Sequence, residues 1–178
     1  MSCLEKTMLK PKIEFFPKKR VVGKSLRMSL VQNKTHELWQ SFMPLRNTVK
    51  NKVGTDFYSI QVYDNVSYFE NFDPKIEFTK WAGIETTEND SLPENLETLE
   101  LDEGLYAIFQ HKGSSTDTSI FQYIFATWLP VSDYELDHRP HFEILGEKYK
   151  NQDPNSEEQI CIPVKPKKNI LNYKNQQP

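Results

Sequence analysis

The sequence predicts an α+β domain built from two βαββ halves, with a mostly antiparallel sheet, two helices on one face and a ligand groove on the other. Three observations support this fold class. Several segments alternate apolar and polar residues, two segments have apolar residues at helical spacing, and one constant shift along the chain superimposes the two sets. This repeat shift carries Thr35 to Ser119 and Ile60 to Ile144. The chain is therefore predicted to be an internal duplication.

The first half is predicted to begin with a strand, because residues 21–30 alternate with period two. A helix follows from Thr35, since apolar residues recur at helical spacing as far as Pro44, where a helix should stop or kink. Residues 57–63 and 76–84 alternate again. These segments give the order β-α-β-β.

The second half repeats this order. Residues 105–111 predict a strand, residues 119–129 a helix, and residues 141–149 and 159–164 two further strands.

One domain of 178 residues is the simplest organisation, because a chain of this length buries enough apolar surface to fold as one unit. We expect the domain to cover residues 11–165, with halves of about 11–84 and 104–165. Residues 1–10 form a lead-in, and the polar residues 166–178 a flexible tail.

Composition argues against several classes of protein. Cys3 and Cys161 are too few for a disulfide scaffold and lack zinc spacing, so we expect no metal and no cofactor. The N-terminus has no signal-peptide core, and no apolar run reaches membrane-spanning length, which predicts a cytoplasmic location without membrane contact. The net charge of −3, and the few residues outside 11–165, argue against direct DNA binding.

The charge is unevenly distributed. Eight acidic side chains lie between Glu85 and Glu103, and residues 81–111 contain no Lys or Arg. Such a run is typical of a solvated segment, and a patch that faces a protein partner is the alternative.

Alternation within the strands divides their side chains between the two faces of the sheet. We expect the helices to cover the face that carries Tyr58, Ile60, Val62, Phe142 and Ile144. The opposite face is then predicted to carry Phe57, Ser59, Gln61, Tyr63, Thr79, Trp81, Glu143 and Leu145. Aromatic side chains on an uncovered face indicate a ligand groove. The loop 64–75, which contains Phe69, and the acidic segment 85–103 are candidate lids.

Several motifs resemble the gyrase-inhibitor-like (GyrI-like) family and the related effector-binding domains of AraC-type and MerR-type bacterial regulators. They are Lys18-Lys-Arg-Val-Val-Gly23, Gly104-Leu-Tyr-Ala-Ile-Phe-Gln-His-Lys-Gly113, Arg139-Pro-His-Phe-Glu-Ile-Leu145 and Gln159-Ile-Cys-Ile-Pro-Val164. The resemblance spans roughly residues 11–165. It implies a stand-alone binding protein that senses or sequesters a lipophilic or cationic drug-like small molecule.

The resemblance also implies a groove with aromatic walls and one acidic residue that pairs with the cation. Glu143 matches that acid, and the repeat shift places an uncharged Ser59 at the equivalent position. A carboxylate between aromatic rings attracts organic cations by charge and by cation–π contact. The predicted ligand-binding residues are Glu143, Trp81, Phe57, Ser59, Tyr63, Phe69 and Leu145.

Three alternatives stay open. In the first, Glu143 is a structural residue that hydrogen-bonds the backbone or a tyrosine and binds no ligand. In the second, Glu143 is a catalytic residue together with Tyr63, Tyr106 or Tyr149, because some members of the family that the chain resembles hydrolyse electrophilic, cyclopropane-bearing natural products. In the third, the chain inhibits a protein partner, gyrase or a regulator, through the segment 85–103.

Overall fold

The computed structural model describes residues 10–87 and 92–168. The strands within them are β1 Lys12–Phe16, β2 Lys19–Met28, β3 Lys52–Val62, β4 Phe78–Thr86, β5 Glu97–Leu101, β6 Gly104–Lys112, β7 Tyr134–Leu136, β8 His141–Leu145 and β9 Glu157–Pro166. Helix α1 spans Thr35–Phe42, and helices α2 Ser119–Gln122 and α3 Leu129–Val131 are joined by π-helical turns at Tyr123–Trp128. Short 3₁₀ turns lie at Met43–Leu45 and Val66–Phe69.

Every pairing among the described strands is antiparallel, in the order β1-β6-β9-β8-β3-β4-β2-β5, with β7 beside β9. The two halves meet at β3 and β8, and each continues outward through its own later strand to its own long first strand. The predicted fold class, a mostly antiparallel α+β sheet with two helical segments, is confirmed.

The duplication is visible in where elements begin. Helix α1 begins at Thr35 and α2 at Ser119, two positions that the repeat shift relates. The same shift relates Ser59 to Glu143, and these two residues lie opposite each other in the register of β3 and β8. The approximate two-fold axis that relates the halves therefore passes beside this pair.

The sequence analysis missed three short strands. β1 and β5 are edge strands, and each pairs with the first long strand of the other half: β1 with β6, and β5 with β2. β7 adds a short ladder to β9. The observed halves are thus longer than βαββ and exchange their first strands.

The buried apolar residues form three clusters. One lies under α1 and includes Leu38, Phe42 and Ala82. Another lies under the helical segment 119–131 and includes Ile124 and Ile160. The third cluster contains no residue of either helical segment among the described residues. Its members are Val21, Tyr58, Ile60, Trp81, Leu101, Tyr106, Ile108, Phe142 and Cys161. The sheet therefore has a helix-covered face and a helix-free face.

The face assignment predicted from the sequence is wrong. Tyr58, Ile60 and Phe142 belong to the helix-free cluster, whereas Phe57 contacts Trp39 of α1 at a ring-centroid distance of 6.0 Å. Alternation identifies which residues of one strand share a face, but it does not identify the face on which the helices pack.

No helix among residues 10–87 and 92–168 is long and apolar enough to span a membrane.

Candidate functional site

The candidate site lies on the helix-covered face, above the two central strands. Helix α1 packs on β2 and β4, and segment 119–131 packs on residues of β6 and β9. The strip over β3 and β8 between them, here called the central cleft, contains Ser59 and Glu143. Ser59 lies opposite Ala82 of the α1 cluster, and Glu143 lies opposite Ile160 of the other helical cluster. Directly opposed residues share a face, so Glu143 faces the cleft.

Six of the seven predicted ligand-binding residues share this face. Phe57 and Leu145 are opposite each other in register, as are Ser59 and Glu143. Tyr63 and Phe69 pack against the α1 cluster. The seventh, Trp81, lies on the helix-free face, in register with Ile60. Trp81 was misplaced because alternation within one strand carries no information about the register of its neighbour.

An aromatic cluster closes one end of the central cleft. The ring of Phe69 stacks on Phe125 at 4.6 Å and on His141 at 4.9 Å, and Tyr63 meets Phe69 edge-on at 4.8 Å. Burial lowers the pKa of His141 to about 3, so its ring is neutral at physiological pH. The predicted lid 64–75 thus contributes Phe69 to the wall of the cleft.

Two tyrosines lie near the Glu143 carboxylate. Burial raises the pKa of Tyr63 above its usual value, and neighbouring Tyr68 and Glu143 raise it further. Burial also raises the pKa of Tyr149, and Glu158 and Glu143 raise it further, against the opposite effect of a hydrogen bond with Ser115. Both hydroxyls therefore keep their protons. Tyr106, the third tyrosine proposed as a partner of Glu143, packs on the helix-free face.

The central cleft contains a second carboxylate. Glu158 lies two residues before Ile160 on β9 and therefore on the same face as Glu143. Burial and the neighbouring Glu143 raise its pKa to about 7, against the opposite effect of Lys80. Glu143 and Glu158 are both half-buried, and within the described part of the chain neither carboxylate accepts a hydrogen bond or forms a salt bridge.

The helix-free face also carries a half-buried carboxylate, Glu85, but this one is paired. Lys19 Nζ lies 3.0 and 2.9 Å from the two carboxylate oxygens of Glu85, and the Tyr58 hydroxyl donates to Glu85 Oε2 at 2.6 Å. A groove of about 550 Å³ lies on this face, lined by Lys10, Lys12, Glu14, Phe16, Lys19, Ile108, Gln110, Ile144 and Gln159. None of the predicted ligand-binding residues lines it.

The acidic segment 85–103 is only partly free to face a partner. Glu85 is paired with Lys19, Glu97 accepts a hydrogen bond from Ser25, and Glu100 is ion-paired with Lys18 and Arg20. Part of the segment, residues 88–91, lies outside the described residues. The described part includes the end of β4 and the edge strand β5, so the described residues of this segment do not form a lid over the central cleft.

Sequence reasoning missed Glu158 and Phe125 as members of the site. Glu158 could have been found from the sequence. If the predicted strand 159–164 is extended by one residue, alternation places Glu158 on the same face as Ile160 and Ile162. Phe125 gave no such signal. The π-helical turns at Tyr123–Trp128 bring it towards Phe69, whereas α-helical spacing placed Ile120 and Ile124 on the buried stripe.

Comparison with known proteins places the chain among small-molecule-binding domains. The model of the GyrI-like small molecule binding domain matches residues 9–165. The transcriptional regulator BrlR of Pseudomonas aeruginosa is 26% identical over 147 residues, which are 81% of this chain and 51% of BrlR. The chain thus spans about half the length of that relative.

Solved structures share the fold at low identity. The structure of SAV2435 bound to tetraphenylphosphonium superimposes with a TM-score of 0.66 and 10% identity, over 94% of this chain and 99% of SAV2435. A hydrolase from Listeria innocua superimposes with a TM-score of 0.56 and 10% identity, over 88% of this chain and 92% of the hydrolase.

Proposed function

The chain belongs to the GyrI-like family of small-molecule-binding domains, and from that premise we propose that it binds lipophilic cations in the central cleft, with Glu143 as the charge anchor. The observation that carries the proposal is an unpaired, half-buried carboxylate beside the approximate two-fold axis. Desolvation of a carboxylate without a partner is unfavourable, so a bound cation would stabilise it. Glu85, the comparable carboxylate on the helix-free face, already has its cation.

The walls of the cleft suit an organic cation with apolar substituents. Tyr63, which lies within electrostatic reach of Glu143, and Phe69, which packs on Tyr63, supply aromatic rings, and a well-placed ring contributes about 0.5–2 kcal/mol of cation–π attraction. SAV2435, which shares the fold, was solved with tetraphenylphosphonium, a ligand of this class. The resulting role is that of a module that senses or sequesters such compounds.

Calorimetric titration with tetraphenylphosphonium tests the proposal. We expect Glu143→Gln to weaken binding at least tenfold, because the isosteric amide removes about 1.4 kcal/mol or more of attraction at a half-buried site. The matched control is Glu147→Gln, because the Glu147 carboxylate is exposed and lies just after β8. This variant should leave the affinity unchanged. Equal affinity of wild type and Glu143→Gln would refute the anchor role.

A second candidate function is hydrolysis of an electrophilic ligand by Glu143 together with Tyr63 or Tyr149. The observation that favours it is that both protonated tyrosines lie within electrostatic reach of Glu143. A carboxylate base and a phenolic donor on one cleft are suited to activate water and to protonate a leaving group. The Listeria innocua hydrolase has the same fold.

Turnover of a cyclopropane-bearing electrophile, followed by chromatography, separates the two functions. For an enzyme, Glu143→Gln should abolish turnover and retain binding of the neutral substrate. Tyr106→Phe, on the helix-free face, should leave turnover unchanged and serves as the control. Turnover that persists in Glu143→Gln would exclude this mechanism.

A further inference from the structure

The two carboxylates of the central cleft are spaced for two positive charges. Glu143 lies opposite Ile160, and Glu158 is two residues away on the same strand and face. Such diagonal neighbours on adjacent antiparallel strands have Cα atoms about 7–8 Å apart. The carboxylates thus lie within reach of the two ends of one small ligand.

Neither carboxylate forms an ion pair with Lys80, the cation whose charge lowers the pKa of Glu158. Lys80, which lies on the same face, forms no salt bridge with either among the described residues. With the Gln61 amide turned so that its oxygen faces Lys80, the Lys80 ammonium donates to that oxygen at 3.3 Å and the Gln61 nitrogen donates to the His141 carbonyl at 3.2 Å. Lys80 therefore forms a hydrogen bond with Gln61 instead of an ion pair, and both carboxylates lack a direct cationic partner among the described residues.

A buried imidazole on the same face as Glu158 also has a ring nitrogen without a partner. His111 lies opposite Glu158 in the register of β6 and β9, so their side chains share a face. The His111 side chain is only 8% exposed, and its Nε2 has no hydrogen-bond partner within the described part of the chain. A neutral imidazole nitrogen accepts a hydrogen bond from an ammonium N–H, whereas a quaternary cation has none to offer.

We propose that the central cleft takes ligands with two cationic centres, one at Glu143 and a second, bearing N–H donors, between Glu158 and His111. This inference rests on the proposed function and specifies the class of ligand. A compound with two ammonium groups separated by one aromatic ring has both the charges and the apolar middle that the cleft requires.

The preference for a ligand with two cationic centres over one with a single centre should increase with pH. Burial and the nearby Glu143 raise the pKa of Glu158 to about 7, so its carboxylate is largely protonated at pH 6 and ionised at pH 8. The titratable groups that face it are Glu143 from β8, Lys80 from β4, His111 from β6 and Tyr149 from the loop after β8. Segment 119–131 contains no charged residue.

The test compares 1,4-bis(aminomethyl)benzene with 4-methylbenzylamine, which lacks the second ammonium, by calorimetry at pH 8. Wild type should bind the diammonium compound about tenfold more tightly or better. Glu158→Gln should reduce this preference to less than about threefold and leave the monoammonium affinity nearly unchanged. Glu143→Gln should weaken both compounds. The matched control is Glu157→Gln, because the Glu157 carboxylate pairs with Lys148 on the opposite face. This variant should bind both compounds as wild type does.

The outcomes separate the inference from the proposed function. Binding of both compounds with equal affinity, sensitive to Glu143→Gln, would overturn the inference and retain the proposed function. A preference that survives in Glu158→Gln, or is unchanged at pH 6, would also overturn the inference. If wild type binds neither these amines nor tetraphenylphosphonium, both proposals are wrong.

Discussion

Replacement of Lys19 by Met tests the separation of the two faces of the sheet. Lys19 and Glu85 are 16% and 13% exposed, and the ammonium lies 3.0 and 2.9 Å from the two carboxylate oxygens. Methionine keeps the apolar length of the side chain and removes the charge. Glu85 is then left with a single donor, the Tyr58 hydroxyl.

The expected cost is about 3 kcal/mol of unfolding free energy, because removal of one partner from a buried ion pair typically costs about 3–5 kcal/mol when the other charge stays desolvated. The remaining Tyr58 hydrogen bond and the residual exposure of Glu85 favour the lower end of that range. For a domain of this size the melting temperature should fall by roughly 6–12 °C.

Urea denaturation followed by circular dichroism measures the change. The control is Lys18→Met, because Lys18 is 57% exposed and lies 3.5 Å from an exposed Glu100; it should cost less than about 0.5 kcal/mol. The double variant Lys19→Met/Glu85→Gln should recover most of the loss, since Gln removes the unpaired charge and still accepts from Tyr58. Neither Lys19→Met nor the double variant should change ligand affinity in the central cleft.

Two results would refute this reasoning. A loss in Lys19→Met no larger than in Lys18→Met would mean that the Lys19–Glu85 pair behaves as a solvated surface pair. A double variant as unstable as Lys19→Met would mean that the unpaired Glu85 charge is not the cause.

Three further predictions concern the remaining structure. Phe69→Ala should lower the affinity for tetraphenylphosphonium and destabilise the fold by about 2–3 kcal/mol, because it removes the stacking on Phe125; Phe72→Ala, at a ring that is 61% exposed, should do neither. His141 has a native pKa of about 3, below its unfolded value of about 6.5, so its stabilising contribution is complete above pH 6.5 and is lost as pH falls towards 3. Between pH 7 and pH 5, the unfolding free energy of His141→Phe, measured by urea denaturation, should therefore fall by about 2 kcal/mol less than that of wild type. An equal fall in both proteins would contradict this. Gly23→Ala should fail to fold or lose several kcal/mol, because its Cβ would lie 2.0 Å from the backbone oxygen of Ala82; wild-type thermal stability would contradict the close approach of β2 and β4.

The sequence predicted the strands and helices well where each carries its own pattern. Alternation and helical spacing are local, and they located α1 and the start of α2 at Thr35 and Ser119. Cross-strand register is not local. Trp81 was assigned to the face of Glu143 because nothing in residues 76–84 states which residue of β3 it opposes, and the observed partner is Ile60. The short edge strands β1 and β5 were missed because they depend on pairing with the opposite half.

The duplication explains why the candidate site lies where the two halves differ. A symmetric pair of βαββ units creates one cleft on its approximate two-fold axis, and equivalent residues meet there, as Ser59 and Glu143 do. Two carboxylates at that point would repel each other, whereas one carboxylate and one hydroxyl leave a single charge for a ligand. Glu158 and His111 likewise differ from their counterparts in the first half, which the strand register gives as Lys80 and Leu26. The positions at which the repeat fails, on the face that the helices flank, are therefore the sequence signal that points to the site.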